Sequence, residues 1–310
     1  LHSTSRRQRQ MCIRDRDWLM YRKIMEYLKK WKESKYRKPL ILQGARQVGK
    51  TYTVLEFGRE YYENVAYFNF ETNPSLNKTF DENITPDYLI PILSHIAGVT
   101  IVSEKTLIVF DEIQLCERAL TSLKYFCENA PQYHIIVAGS LLGVAVNRST
   151  FSFPVGKVDI KTMYPMDIEE FMIAMGNKDL TEMIRKSFES NAPMPAALHD
   201  ICMQLYRQYL VVGGMPECVS LFAQTKDYVL VRHNQDTILA SYLNDMSKYN
   251  NLNEIKKTRL AYDNITVQLS KKNTRFQYKL IKKGGRASEF ENAIEWLNPV
   301  SYTHLTLPTT

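Results

Sequence analysis

Cysteine is sparse: the 310 residues hold five, Cys12, Cys116, Cys127, Cys202 and Cys218, none of them in a C-x-x-C pair. That scatter excludes a zinc ribbon or finger, and an odd, thin set suits a reducing compartment better than a disulfide-stapled secreted fold. Long hydrophobic runs are missing as well. No stretch approaches the roughly twenty apolar residues of a membrane span, and the N-terminus lacks the apolar core of a signal peptide. The expected location is therefore cytoplasmic, with no membrane partner. No internal repeat or low-complexity tract marks a purely structural protein. What is present, 45% hydrophobic and 11% aromatic residues, suffices for one large or two ordinary packed domains.

Charge is unevenly spread beneath a net +7. Residues 1–16 carry five arginines against Asp15, and residues 256–286 carry ten Lys/Arg against Asp263. Residues 287–310 hold three glutamates and neither Lys nor Arg, which leaves 17–255 slightly acidic at −3. The basic character thus belongs to one late segment and one end. Both ends look foreign. Met11-Cys12-Ile13-Arg14-Asp15-Arg16 and the run from Val300 to Thr310 resemble translated library-adaptor sequence. Residues 1–16 and 299–310 are therefore expected to be non-native tails of a longer protein and are set aside from fold reasoning.

The organising stretch is Gly44-Ala45-Arg46-Gln47-Val48-Gly49-Lys50-Thr51, a full G-x-x-x-x-G-K-[ST] loop directly after the apolar run Leu40-Ile41-Leu42. A buried strand would deliver the chain to a turn whose backbone N–H groups surround phosphate oxygens before a helix begins. Lys50 would reach the β- and γ-phosphates of ATP, and the Thr51 hydroxyl would ligate Mg²⁺.

A second landmark is Leu107-Ile108-Val109-Phe110-Asp111-Glu112, an apolar run closed by two acids. Acids at the C-terminal edge of a buried parallel strand project into the crevice where ligands bind. Asp111 is placed to hold Mg²⁺ through water, and Glu112 to take a proton from an attacking water. A further run, His134 to Ser140, ends in a residue that reads equally as a water-orienting sensor or as a helix N-cap. Val65 to Phe70 is another strand. Helices are expected over Asp17 to Trp31, from Lys50 to a closing Gly58, and from Thr85-Pro86-Asp87 onward. The first of these either packs or borders the adenine. Strands alternating with helices imply an α/β core with a parallel sheet covered on both faces.

Beyond Ser140 the pattern changes. Phe151 to Met166 reads as a hairpin or an irregular excursion from the core. Helices follow over Ile168 to Met175, Leu180 to Phe188, Ala196 to Val212 and Tyr228 to Tyr249, with Gly213-Gly214-Met215-Pro216 as a sharp break. The expected domains are a core over 17–166, a helical lid over 167–250 and a small winged-helix-like unit over 251–298. That unit would use helices Glu254 to Tyr262, Thr266 to Lys272 and Ser288 to Leu297. Its cations Lys271, Lys272, Arg275, Lys279, Lys282, Lys283 and Arg286, with Phe276 and Tyr278 interleaved, read either as nucleic-acid phosphate contacts or as a protein-docking face. Arg118, Arg148 and Lys157 are cations that could complete a phosphate site, in cis or from a neighbouring subunit, or simply lie on the surface. The guanine-reading Asn-Lys-x-Asp is absent, since Asn177-Lys178-Asp179 is one residue short.

Taken together, these motifs resemble a family. The loop Gln43 to Thr51, Asp111-Glu112-Ile113-Gln114, Gly139 to Val144, Ser152 to Val158, Tyr164-Pro165-Met166-Asp167, Gly213 to Glu217, Asp245 to Lys248 and Phe290 to Leu297 are similar to the prokaryotic AAA+ ATP-binding proteins in which an ATPase core precedes a domain of unknown function. The resemblance covers about 20–298 and implies a P-loop NTPase fold of the additional-strand, catalytic-glutamate type, with a helical lid, a partial winged helix and oligomers among its options. It implies Lys50 and Thr51 on phosphate and metal, Asp111 on metal, Glu112 as base and Ser140 as sensor. Where that family has Ile-Pro-x-Gln-Leu, this chain has Ile265-Thr266-Val267-Gln268-Leu269. The pattern ends at Asn298.

Overall fold

A computed structural model describes residues 21–139, 154–248, 252–271, 276–282 and 284–297. These divide into two compact units, 24–163 with 291–297, and 21–23 with 164–290.

The first unit is built on five strands: β1 (Leu40–Gln43), β2 (Asn64–Asn69), β3 (Thr106–Asp111), β4 (His134–Gly139) and β5 (Asp159–Thr162). Their order is β2-β3-β4-β1-β5 and every pairing is parallel. β4 is thus inserted between β1, which feeds the glycine loop, and β3, which carries the acids. The apolar runs dictate this, because β3 and β4 are buried at every position and only central strands covered on both faces tolerate such continuity.

Alternation sorts the side chains between two helical layers. Ile41, Ala66, Phe68, Phe70, Ile108, Phe110, Ile135 and Val137 share one core with residues of α3 (Leu76–Glu82), α4 (Pro86–Ala97) and α5 (Glu117–Asn129). The opposite face receives α2 (Lys50–Tyr61), and α1 (Ile24–Glu33) packs beside it. α4 begins with Pro86 at its first position after Thr85, as the sequence pattern requires.

Three expectations are corrected here. Gly58 does not close α2, which runs on to Tyr61. Its role is close packing, since a Cβ there would stand 2.4 Å from Val65 Cγ2 and 3.1 Å from Leu107 Cδ2. The described part of the Phe151 to Met166 stretch is not a hairpin. It supplies β5, an edge strand aligned with β1 from Leu40↔Asp159 to Gln43↔Thr162. The third correction falls in the second unit, where Leu252–Leu269 is one continuous helix, so the expected turn between two shorter helices is absent.

That second unit is helical: α6 (Ile168–Ala174), α7 (Lys178–Glu189), α8 (Ala196–Val212), α9 (Pro216–Thr225), α10 (Tyr228–Lys248), α11 (Leu252–Leu269), α12 (Tyr278–Ile281) and the start of α13 (Ala287–Leu297). α6 opens with a full capping box between Asp167 and Glu170. Gly213 ends α8 at φ 73°, and Gly214 lets the chain pass Met166, whose oxygen would lie 2.1 Å from any Cβ. Pro216, read as part of a break, instead starts α9. No strand occurs among the described residues of 252–297, so no wing is seen there.

Candidate functional site

At the end of β1 the chain must turn sharply beneath residue 163. Gly44 sits at φ 152°, and a Cβ on it would meet the Met163 carbonyl oxygen at 2.1 Å, so only glycine fits. Gln47 (φ 63°) and Gly49 (φ 88°) take left-handed conformations and curl the loop. α2 then starts without any side-chain cap, which leaves its N-terminus as an anion-binding end. Lys50 is buried, and its ammonium donates to the carbonyls of Gly44 at 2.9 Å and Ala45 at 2.7 Å. Ala45 and Val48 anchor the loop in the core. Burial pulls the Lys50 ammonium down to about 8, with Glu112 and Asp111 acting in the opposite sense and Arg46 adding to the fall.

β3 delivers the acids to the same place. Asp111 is buried, and its Oδ2 accepts from the Thr51 hydroxyl at 2.9 Å and from the Tyr67 hydroxyl at 2.8 Å. Its Oδ1 accepts from the Glu112 N–H at 3.0 Å. Glu112 follows in a left-handed conformation, φ 53° and ψ 40°, uncommon for a residue with a Cβ and concentrated at functional sites. Burial raises its carboxyl above the ordinary glutamate value, against the hydrogen bond from the Gln114 amide, while the charge of Asp111 pushes it up further. A carboxyl shifted in that direction is a better proton acceptor than an ordinary glutamate.

The structure therefore brings Lys50, Thr51, Asp111 and Glu112 together, from chain positions up to 62 residues apart. Ser140 and Arg148 lie outside the described residues. Arg118 donates to the Phe80 carbonyl at 2.8 Å and Lys157 pairs with Glu128 at 2.9 Å, so both are engaged within the fold. Tyr67 and Gln114 were missed by sequence reasoning. Gln114 has a signal, its place two residues beyond Glu112, but Tyr67 needs β2 to lie beside β3.

Hard oxygen donors from one hydroxyl and one carboxylate, already in contact, fit Mg²⁺, which is usually held by one or two protein oxygens plus phosphate and water. No cluster of three or more His, Cys, Asp or Glu that could hold a metal occurs among the described residues. No helix among them is long and apolar enough to cross a membrane.

In the basic segment, Phe276 and Tyr278 pack edge-to-face with ring centres 5.1 Å apart, and Lys282 pairs with Glu289 at 2.9 Å. Lys271, Lys279 and Arg286 are exposed. Lys272, Arg275 and Lys283 lie outside the described residues.

No curated protein matches the sequence. Among solved structures, the Caenorhabditis elegans PCH-2 structure is 13% identical at TM-score 0.37, covering 68% of this chain, which spans 65% of that one. The Thermotoga maritima RuvB Holliday junction branch migration motor is 12% identical at TM-score 0.37, with 89% of this chain and 85% of that one covered. The Aeropyrum pernix ORC2 protein, as ADPNP–ADP complexes, is 10% identical at TM-score 0.42, with 85% and 79% covered. Family models match two stretches, AAA domain over residues 36–172 and Domain of unknown function (DUF8612) over residues 203–309. A match to an AAA domain thus precedes a match to a domain of unknown function, and the five-stranded sheet and the glycine loop lie within the first of these stretches.

Proposed function

We propose that the protein binds ATP with Mg²⁺ and hydrolyses it, using the turnover to change the shape of a bound partner. The observation that carries this reading is the meeting of Thr51 and Asp111 at 2.9 Å beside a buried lysine. Lys50 would exchange its two loop carbonyls for phosphate oxygens, a stronger charge-assisted contact. Thr51 and Asp111 would hold Mg²⁺, which supplies charge neutralisation at the β- and γ-phosphates when bound. Glu112 would accept the proton of the water that attacks the γ-phosphorus, and its left-handed backbone and Gln114 hold the carboxylate in place. The exposed Lys271, Lys279 and Arg286 extend the reading to a polyanionic partner such as nucleic acid, whose affinity would fall steeply with salt.

Calorimetry tests the nucleotide site. Mg²⁺–ATP should bind the wild type, and Lys50→Ala should abolish measurable binding, because alanine replaces neither the charge nor its donors. Equal affinities in the two proteins would sink the reading.

A further inference from the structure

Asp111 is a buried carboxylate with no cation bonded to it among the described residues, and what holds it is a chain of neutral donors running in from the edge strand β2. The chain begins at Asn69, whose Oδ1 accepts from the N–H groups of Glu71 and Thr72, both at 2.9 Å. Those two bonds fix which way the amide faces, so its Nδ2 is turned to the Tyr67 hydroxyl at 3.2 Å. The phenol oxygen accepts there and donates onward to Asp111 Oδ2 at 2.8 Å. Tyr67 and Asn69 are two residues apart on β2 and share a strand face, and Asn69 is in register with Asp111. A carboxylate offers about four acceptor positions. Thr51 and Tyr67 occupy Oδ2 and the Glu112 N–H occupies one position on Oδ1, which leaves one on Oδ1.

We infer that Tyr67 is a positioning residue for the metal: its hydroxyl, oriented by Asn69, anchors Asp111 Oδ2 and thereby presents the remaining Oδ1 position to Mg²⁺ or to a water on it. The inference rests on the nucleotide-site reading above. The alternative, that Tyr67 only packs, is weakened by its surroundings. Its ring is partly exposed at the sheet edge, 37% accessible, while the neighbours Ala66 and Phe68 on the other face do the packing.

The test is Tyr67→Phe, which deletes one oxygen and keeps the ring, with ATP affinity measured by calorimetry in Mg²⁺ and in EDTA. Tyr67→Phe should leave the EDTA affinity unchanged, because the loop and Lys50 bind phosphate directly. It should lower the gain that Mg²⁺ confers by about 10-fold or more, the size seen when a group orienting a metal ligand is lost. Asn69→Ala should lower the gain in the same direction by less. If Tyr67→Phe keeps the full Mg²⁺ gain, or loses EDTA affinity in equal measure, the hydroxyl does not position the metal-binding carboxylate and the inference is overturned. A wild type with no ATP affinity in either medium removes the nucleotide-site reading and this inference with it. Matched thermal melting of wild type and variant confirms that the comparison is between folded proteins.

Discussion

Each unit of the molecule buries a carboxylate held by three donors, and the two differ in one respect. Glu170, in the helical unit, accepts from the Arg22 guanidinium at 3.2 Å and from the N–H groups of Lys23 at 2.7 Å and Asp167 at 3.1 Å. Its charge is cancelled on the spot by a buried cation, 4% exposed. Asp111 receives only neutral donors, and the neighbouring ammonium of Lys50 spends its protons on the carbonyls of Gly44 and Ala45. A paired charge is finished architecture. A cation and an anion buried side by side without bonding each other cost desolvation with little return in the free protein, and that arrangement makes sense where a charged ligand completes both.

The sharpest way to break this contrast is to remove a charge from each side and see what is lost. Glu112→Gln, beside Asp111, keeps size and hydrogen bonding but cannot take a proton. ATP should still bind while steady-state phosphate release falls by roughly 10²–10⁴-fold. Unchanged turnover would place the base elsewhere and leave the unpaired acids without a catalytic purpose.

In the helical unit the loss should appear in stability. Arg22→Met would leave Glu170 as a buried carboxylate without its cation, at a cost of about 3–5 kcal/mol, read as a lower urea midpoint. A shift under about 1 kcal/mol, the range of surface pairs, would show that Glu170 is held by its two backbone N–H donors alone and that the contrast is false.

Much of this was legible in the sequence, and the reason is locality. The loop and the acid pair are contiguous motifs attached to apolar runs, so Leu40-Ile41-Leu42 and Leu107 to Phe110 announced both the central strands and the site at their ends. β5 was not legible, because Asp159-Ile160-Lys161-Thr162 is a half-exposed edge strand with charged residues and no apolar run. Gly58 read as a terminator since its real constraint, the approach of Val65 and Leu107, is tertiary. α9 hid behind Pro216, which stops a helix in mid-course yet starts one at its first position. The continuity of α11 through Thr266 follows from the missing proline noted in the sequence, because threonine keeps the N–H that a proline would remove. Tyr67 stands 44 residues from Asp111, and only the neighbouring of β2 and β3 joins them.

The smallest effect sharpens the contrast from the side of Lys50, through pH. Burial lowers its ammonium from 10.5 to about 8 in the free protein, so the folded state disfavours the charged form. The sign follows directly. Below about pH 8 the lysine is charged in both folded and unfolded chains and the penalty is present in full, while between about pH 8 and 10.5 the fold is relieved of it as the proton leaves. Nucleotide phosphates reverse the preference, because they supply the counter-charge that Gly44 and Ala45 do not. Binding above pH 8 must therefore take up a proton, and ATP affinity should fall with rising pH by up to about 10-fold per unit. Lys50→Arg should bind more weakly, since arginine's planar fork replaces a point charge, but arginine does not titrate in this range. Calorimetry between pH 7.5 and 9.5 should then show a falling affinity for the wild type and a flat one for Lys50→Arg. Equal slopes in the two proteins would mean that the titrating group is not Lys50, and that its ammonium is held as firmly by the loop as Arg22 is held by Glu170.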